Sequence, residues 1–174
     1  VSAHSTGNKH EFNYITTDYK ELLKKDDVNV IFITTRHDDH GQKVLSSLNS
    51  GKHVFVEKPL AIHESELEEI KDVLSSSENN SLLQVGYNRR FAPLVQEMKK
   101  VVSDLPMSVN YRINAGVIPR DVWIQDAEVG GGRIIGEACH FIDTCTYLIG
   151  ALPVSVFASC VTKPDQSIPD EDNV

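Results

Sequence analysis

The sequence predicts an α/β fold that gives way, half-way along, to a segment of different character. Three observations predict it. Three short runs are rich in β-branched and aromatic residues. The stretches before and between them carry helical spacing. After Arg90 the apolar residues begin to alternate instead of running together, as they do in a strand with one covered face.

"DYKELLKKD" (18–26) has helical spacing, and "VNVIFITT" (28–35) reads as a strand buried on both faces, as in a parallel sheet. "DDHGQKVLSSLNSG" (38–51) is a second helix, with Gly51 as its stop. "KHVFVEKP" (52–59) is a second buried strand. "ESELEEIKDVLSSS" (64–77) is an amphipathic helix with Leu67, Ile70, Val73 and Leu74 on one side. "SLLQVGYNRR" (81–90) is a third strand. This alternation is the rhythm of a doubly wound parallel domain.

Beyond it, "PLVQEMKKVVSDL" (93–105) is a helix with Pro93 near its first turn. "MSVNYRINAG" (107–116) and "PVSVFASCV" (153–161) alternate and are expected as strands. Between them "GGGRIIGEACHFIDTCTYLIG" (130–150) is a helix stopped by Gly150. Residues 1–91 are therefore expected to form part of a parallel-sheet domain. Residues 92–174 are expected to form part of an α+β domain with an open, mostly antiparallel sheet. The strand and GxGxxG loop that usually open a nucleotide domain are not in the sequence. Both ends look unfinished, and an internal piece of a longer protein is expected.

A net charge of -8 over 174 residues argues against a nucleic-acid surface, which needs a concentrated basic face. No apolar run approaches the ~20 residues of a membrane helix, and no signal-peptide pattern opens the chain. Cys139, Cys145 and Cys160 are odd in number and not spaced as CxxC. They read as reduced residues of a cytoplasmic protein, without a zinc site.

Four places carry candidate chemistry. Glu57-Lys58-Pro59 ends a central strand, where open α/β sheets bind ligands. There a lysine could polarise a hydroxyl or carbonyl, although the tripeptide alone reads more readily as a solvated turn. In "TTRHDDH" (34–40) hydroxyls, Arg36 and two histidines gather on one crossover, near enough to line a dinucleotide. Equally, Thr35 or Asp38 caps a helix there and His40 is exposed. In "GEACHFID" (136–143) Glu137, His140 and Thr144 follow helical spacings of three and four. His140 is then an acid/base with a carboxylate beside it, or a histidine satisfied in a domain interface. Gly136 inside that helix is destabilising relative to alanine unless something approaches its backbone. In "GYNRRFAP" (86–93) the paired arginines clamp an anion or simply face solvent. The "GGG" at 130–132 lacks the ending of a phosphate loop.

In their order, "TTRHDDH", "SGKHVFVEKPLA", "VGYNRRFAP" and "GGGRIIGEACHFID" resemble the glucose–fructose oxidoreductase, inositol dehydrogenase and MocA family from about residue 12 to 161. "DVWIQDAEVGGGRIIGEACHFID" is similar to the subgroup fused behind a zinc-type alcohol-dehydrogenase-like half. The resemblance implies a partial Rossmann domain over 1–91, NAD or NADP as cofactor, and hydride transfer to or from a sugar, polyol or nucleotide sugar. It implies Thr34, Thr35, Arg36, His40 and Glu57 as cofactor-side residues and Lys58, with a cis peptide to Pro59, at the reacting oxygen. His140 is implied as the base, with Glu137 beside it, and Asn88, Arg89 and Trp123 are taken as substrate-side residues. Association into homo-oligomers through the open sheet is implied too. One departure stands out. The family often has an aspartate four residues before the histidine, where this chain has Gly136. Its acid is one residue later, turned by roughly 100° on an α-helix. Two other readings remain: a non-catalytic sugar-binding or assembly module, and an NAD-dependent glycoside-cleaving enzyme.

Overall fold

The computed structural model describes residues 2–77, 79–102 and 106–159. Its centre is a parallel sheet of β1 (Val30–Ile33), β2 (His53–Val56) and β3 (Leu83–Val85), in that order. Ile31 pairs with Val54 and Ile33 with Val56, while Val54 and Val56 pair with Leu83 and Val85. Each strand falls inside its expected run. β-Branched side chains pack well on a pleated surface, and here they do so against helices.

α3 (His40–Asn49) and α4 (Glu64–Ser75) supply those helices. Val44, Leu45 and Leu48 of α3 and Ile70 of α4 bury against Ile33, Val54 and Val56. Each such side chain contributes roughly 1.5–3 kcal/mol by leaving water. The opposite sheet face does not match the expectation of strands buried on both sides. Phe32 stacks on Phe55 at 5.1 Å yet is 69 % exposed, and Val30 and Leu82 are exposed as well. A run apolar on both faces needs a layer on each side, and both core helices lie on one.

α2 (Tyr19–Leu23) leads into β1, and the Asp18 side chain accepts from the Lys20 amide to cap it. α1 (Ala3–Lys9) is an additional helix that the sequence pattern did not suggest, capped by Ser2. After β3 a 3₁₀ turn (Asn88–Phe91) leads to α5 (Pro93–Val101). Proline suits that first position because its missing N–H would have no partner there anyway.

α6 (Cys139–Ile149) ends where expected, at Gly150 with φ 80°. Its start differs: residues Ile134–Ala138 form one turn of π-helix rather than α-helix. The two alternating segments are a second correction. Residues 107–116 and 153–159 form no ladder among the described residues. Alternation sorts side chains by face, but a strand also needs a partner's backbone groups. Val154, Val156 and Phe157 are 85 % or more exposed, so neither face of that run is covered. Residues 103–105 of the helix expected over 93–105 and 160–161 of the last expected strand lie outside the described residues. No helix among them is long and apolar enough to cross a membrane.

Candidate active site at the strand ends

The ladder carries β2 past its last residue, since the Glu57 amide donates to Ile33 O at 2.9 Å. Lys58 and Pro59 then turn away through a cis peptide, as expected. His40 braces this turn. It is fully buried, with Nδ1 2.7 Å from Pro59 O and Nε2 3.1 Å from Thr35 O. The exit of β1 and the Lys58 turn are thus tied through one ring. His40 is accordingly neither exposed nor free to line a ligand with both nitrogens. Neither Thr35 nor Asp38 caps a helix. Thr34, Thr35 and Arg36 remain exposed at the end of β1.

The Lys58 side chain is only 14 % exposed. Its ammonium donates to Gly136 O at 2.8 Å and to Glu137 Oε1 at 3.0 Å. Both partners lie on the π-turn. A π-turn inserts one residue into a helix, so the register that α-geometry assigns to Glu137 does not apply. The displaced carboxylate reaches the lysine after all. Gly136 explains itself here as well. A Cβ on it would lie 3.1 Å from His37 Cε1 and 3.2 Å from Gly130 O.

His140 opens α6 behind this pair and is 7 % exposed. Its Nδ1 is buried without a hydrogen-bond partner among the described residues. Burial lowers its pKa first, then the charges of Lys58 and Arg89, while Glu137 and Glu57 oppose them. The ring is therefore a neutral base near neutral pH. Tyr87 stands edge-on to it at 6.3 Å, and its phenol is pushed up to about 12 by burial, then by Cys139 and Asp143. Tyr87 stays protonated at any working pH. Glu57 is half-buried beside Gly86, where a Cβ would meet its Oε1 at 3.2 Å. Thr144 is occupied, donating to His140 O at 2.7 Å.

The paired arginines separate. Arg90 is held by Asp143 through both Nε and NH2, so it fastens α6 to the 3₁₀ turn rather than clamping a ligand. Arg89 lies over the Phe141 ring at 4.6 Å and remains exposed, as does Asn88. Trp123 is half-buried at the rim, with Arg36 5.5 Å from its ring centroid. Cys139 and Cys145 are free and half-buried, and burial pushes both thiols up. Cys160 lies outside the described residues.

One of the two histidines on this crossover received no role of its own from the sequence. His37 is 6 % exposed, with Nδ1 2.8 Å from Gly130 O and its ring edge-on to Trp123 at 4.8 Å. A signal existed. In the 3₁₀ turn His37–Asp39 side chains three apart eclipse, and the His37 and His40 rings lie 5.8 Å apart.

Comparison with known proteins bears on the same region. Residues 3–87 match a family model described as an oxidoreductase family with an NAD-binding Rossmann fold. An uncharacterized oxidoreductase, YrbE, of Bacillus subtilis is 29 % identical over 156 residues, covering 88 % of this chain and 45 % of the relative. An inositol 2-dehydrogenase/D-chiro-inositol 3-dehydrogenase of Lactiplantibacillus plantarum is 34 % identical, covering 76 % of this chain and 37 % of the relative. A solved levoglucosan dehydrogenase in complex with NADH and L-sorbose superposes with a TM-score of 0.72 at 25 % identity, over 85 % of this chain and 41 % of that one. The chain spans less than half the length of these curated relatives.

Proposed function

We propose, from a chain that belongs through residues 3–87 to the oxidoreductase family with the NAD-binding Rossmann fold, an NAD(P)-dependent dehydrogenase of sugar-like or polyol substrates. The observation that carries this reading is Lys58, held in the strand-end crevice by Gly136 O and Glu137 with the neutral His140 behind it. The relatives named for inositol and levoglucosan support the substrate class.

The residues present fit one end of a dinucleotide. Thr34, Thr35 and Arg36 stand exposed at the end of β1, and Glu57 is half-buried at the end of β2. They would flank the nicotinamide ribose, while no GxGxxG loop for the pyrophosphate occurs in the sequence. When bound, the nicotinamide ring supplies the hydride acceptor. Around it the protein handles the proton. The Lys58 ammonium donates to the reacting oxygen and stabilises charge as it builds there. His140 accepts the hydroxyl proton as the substrate carbon gives up its hydride, so that alcohol becomes carbonyl and imidazole becomes imidazolium. Glu137 orients Lys58 and offsets the positive charge that gathers at the site. Asn88, Arg89 and Trp123 are the substrate-side candidates, from their exposed or rim positions.

Residues 92–174 are taken as the substrate and association side of the protein. Homo-oligomers through that face fit its exposed Tyr111, Ile113 and Val117. The free Cys139 and Cys145 fit a cytoplasmic setting. "DVWIQDAEVGGGRIIGEACHFID" supports the subgroup fused behind a zinc-type alcohol-dehydrogenase-like half.

The test is nicotinamide absorbance with inositols, anhydrosugars and free sugars as substrates. Turnover with at least one is expected, reduced about 10³-fold in Lys58→Ala. Sugar binding without dinucleotide binding would instead favour a non-catalytic module.

A further inference from the structure

His37 has no part in the chemistry above, yet it stands where the two halves of the site meet. It belongs to the crossover after β1, and its side chain meets Gly130, Trp123 and Gly136 of the far half as well as the His40 ring. Its Nδ1 lies 2.8 Å from Gly130 O, and next to it the Asp38 amide donates to Val129 O at 3.1 Å. Its ring meets Trp123 edge-on. Its Cε1 and Nδ1 occupy the space that a side chain at 136 would need, at 3.1 and 3.3 Å from where a Cβ would be. An imidazole suits this place for two reasons. It offers an N–H to the Gly130 carbonyl and a flat ring to the bare Gly136 backbone.

The consequence concerns Lys58. Its ammonium is bonded to Gly136 O and Glu137 Oε1. Whatever seats residues 130–137 therefore sets where that ammonium points. We propose that His37 is a positioning residue for Lys58: it seats the π-turn against the β1 crossover, and position 136 is glycine to admit its ring. This deepens the dehydrogenase reading and rests on it. The charges around the ring are Lys58, His40 and Glu137, with Arg36 on the Trp123 ring. Burial, then Lys58 and His40, lower the His37 pKa against the bond to Gly130 O and the charge of Glu137. The working form is the neutral ring donating through Nδ1. Acid would place a second cation beside Lys58.

The test is a double-mutant cycle with a readout that needs no turnover. Gly136→Ala is expected to lower kcat about tenfold to a hundredfold while leaving the substrate KM within about twofold, the signature of a misplaced group. Adding it to His37→Ala, where the ring is gone, should lower kcat by less than about threefold further. His37→Gln keeps an N–H for Gly130 O and should retain most of kcat. Independently, Trp123 is the only tryptophan of the sequence. Its emission should be quenched as His37 gains a proton below neutral pH, and His37→Gln should abolish that quenching. Two results would overturn the proposal. One is a Gly136→Ala effect of equal size in both backgrounds, in kcat and in thermal midpoint alike. The other is coupling in the midpoint with kcat unchanged by His37→Ala, which leaves His37 only a structural role. If Lys58→Ala leaves turnover intact, the dehydrogenase reading fails while the Trp123 signal and the midpoint cycle still report on the seat.

Discussion

The two halves of this molecule are held together by different forces. From β1 to α4 the packing is hydrophobic: Ile33, Val44, Leu45, Leu48, Val54, Val56 and Ile70 form one buried cluster. After Arg90, Leu148 is the single buried hydrophobic among the described residues, while Leu94, Met98, Val101 and Ile142 are exposed. Much of what fastens that half is polar and directional. Lys58 binds Gly136 and Glu137, His37 contacts Gly130, Arg90 binds Asp143, and Lys99 donates to Leu148 O at 2.9 Å. Burial of apolar area is non-directional and sums over a cluster. A polar tether acts at one point and fails when one partner is removed. Two of these four tethers are also site contacts, so the geometry of the site and the docking of the second half are one property.

The largest expected effect breaks the first region. Ile70→Ala should lower stability by about 2–4 kcal/mol in urea unfolding, through lost burial and the cavity left behind. Ile142→Ala, at a position 58 % exposed, should stay within about 0.5 kcal/mol. Equal losses at both would erase the contrast between the halves. Next in size is Arg90→Ala. It leaves the Asp143 carboxylate, 9 % exposed, without its partner, at a penalty of about 1–3 kcal/mol. Amide exchange should quicken in α6 and hardly at all in α3.

The smallest effect is that of pH. His37 and His140 are both held below the ordinary histidine value, chiefly by burial. Below that value the unfolded chain binds protons that the folded chain refuses. The stability these groups contribute is therefore present above the unfolded value and lost as pH falls through it. Urea midpoints should drop between about pH 7 and about pH 5, and less so in His37→Gln.

The same contrast explains what the sequence discloses. β-Branched runs and helical spacing are local, so the parallel sheet and its helices could be read directly. Lys58 at a strand end and a close approach at Gly136 could also be read, because strand ends and glycines carry positional meaning. The π-turn could not, since its one-residue insertion leaves no mark in an apolar pattern that fits an α-helix equally well. That is why Glu137 was expected to be turned by roughly 100° from the position of the usual acid. His40 reads from sequence as cofactor-lining or exposed, and not as a buried brace, because its partners, Pro59 O and Thr35 O, are backbone atoms. Backbone acceptors brought together by folding do not show in side-chain patterns. The alternation over 107–116 names faces but not partners.

The measurement that tests the central claim most directly is amide hydrogen exchange of Lys58→Met beside the parent chain. If Lys58 fastens the second half through Gly136 and Glu137, exchange quickens over residues 134–149 while residues 44–56 keep their protection. Unchanged protection over 134–149, or equal loss in both segments, would contradict the account.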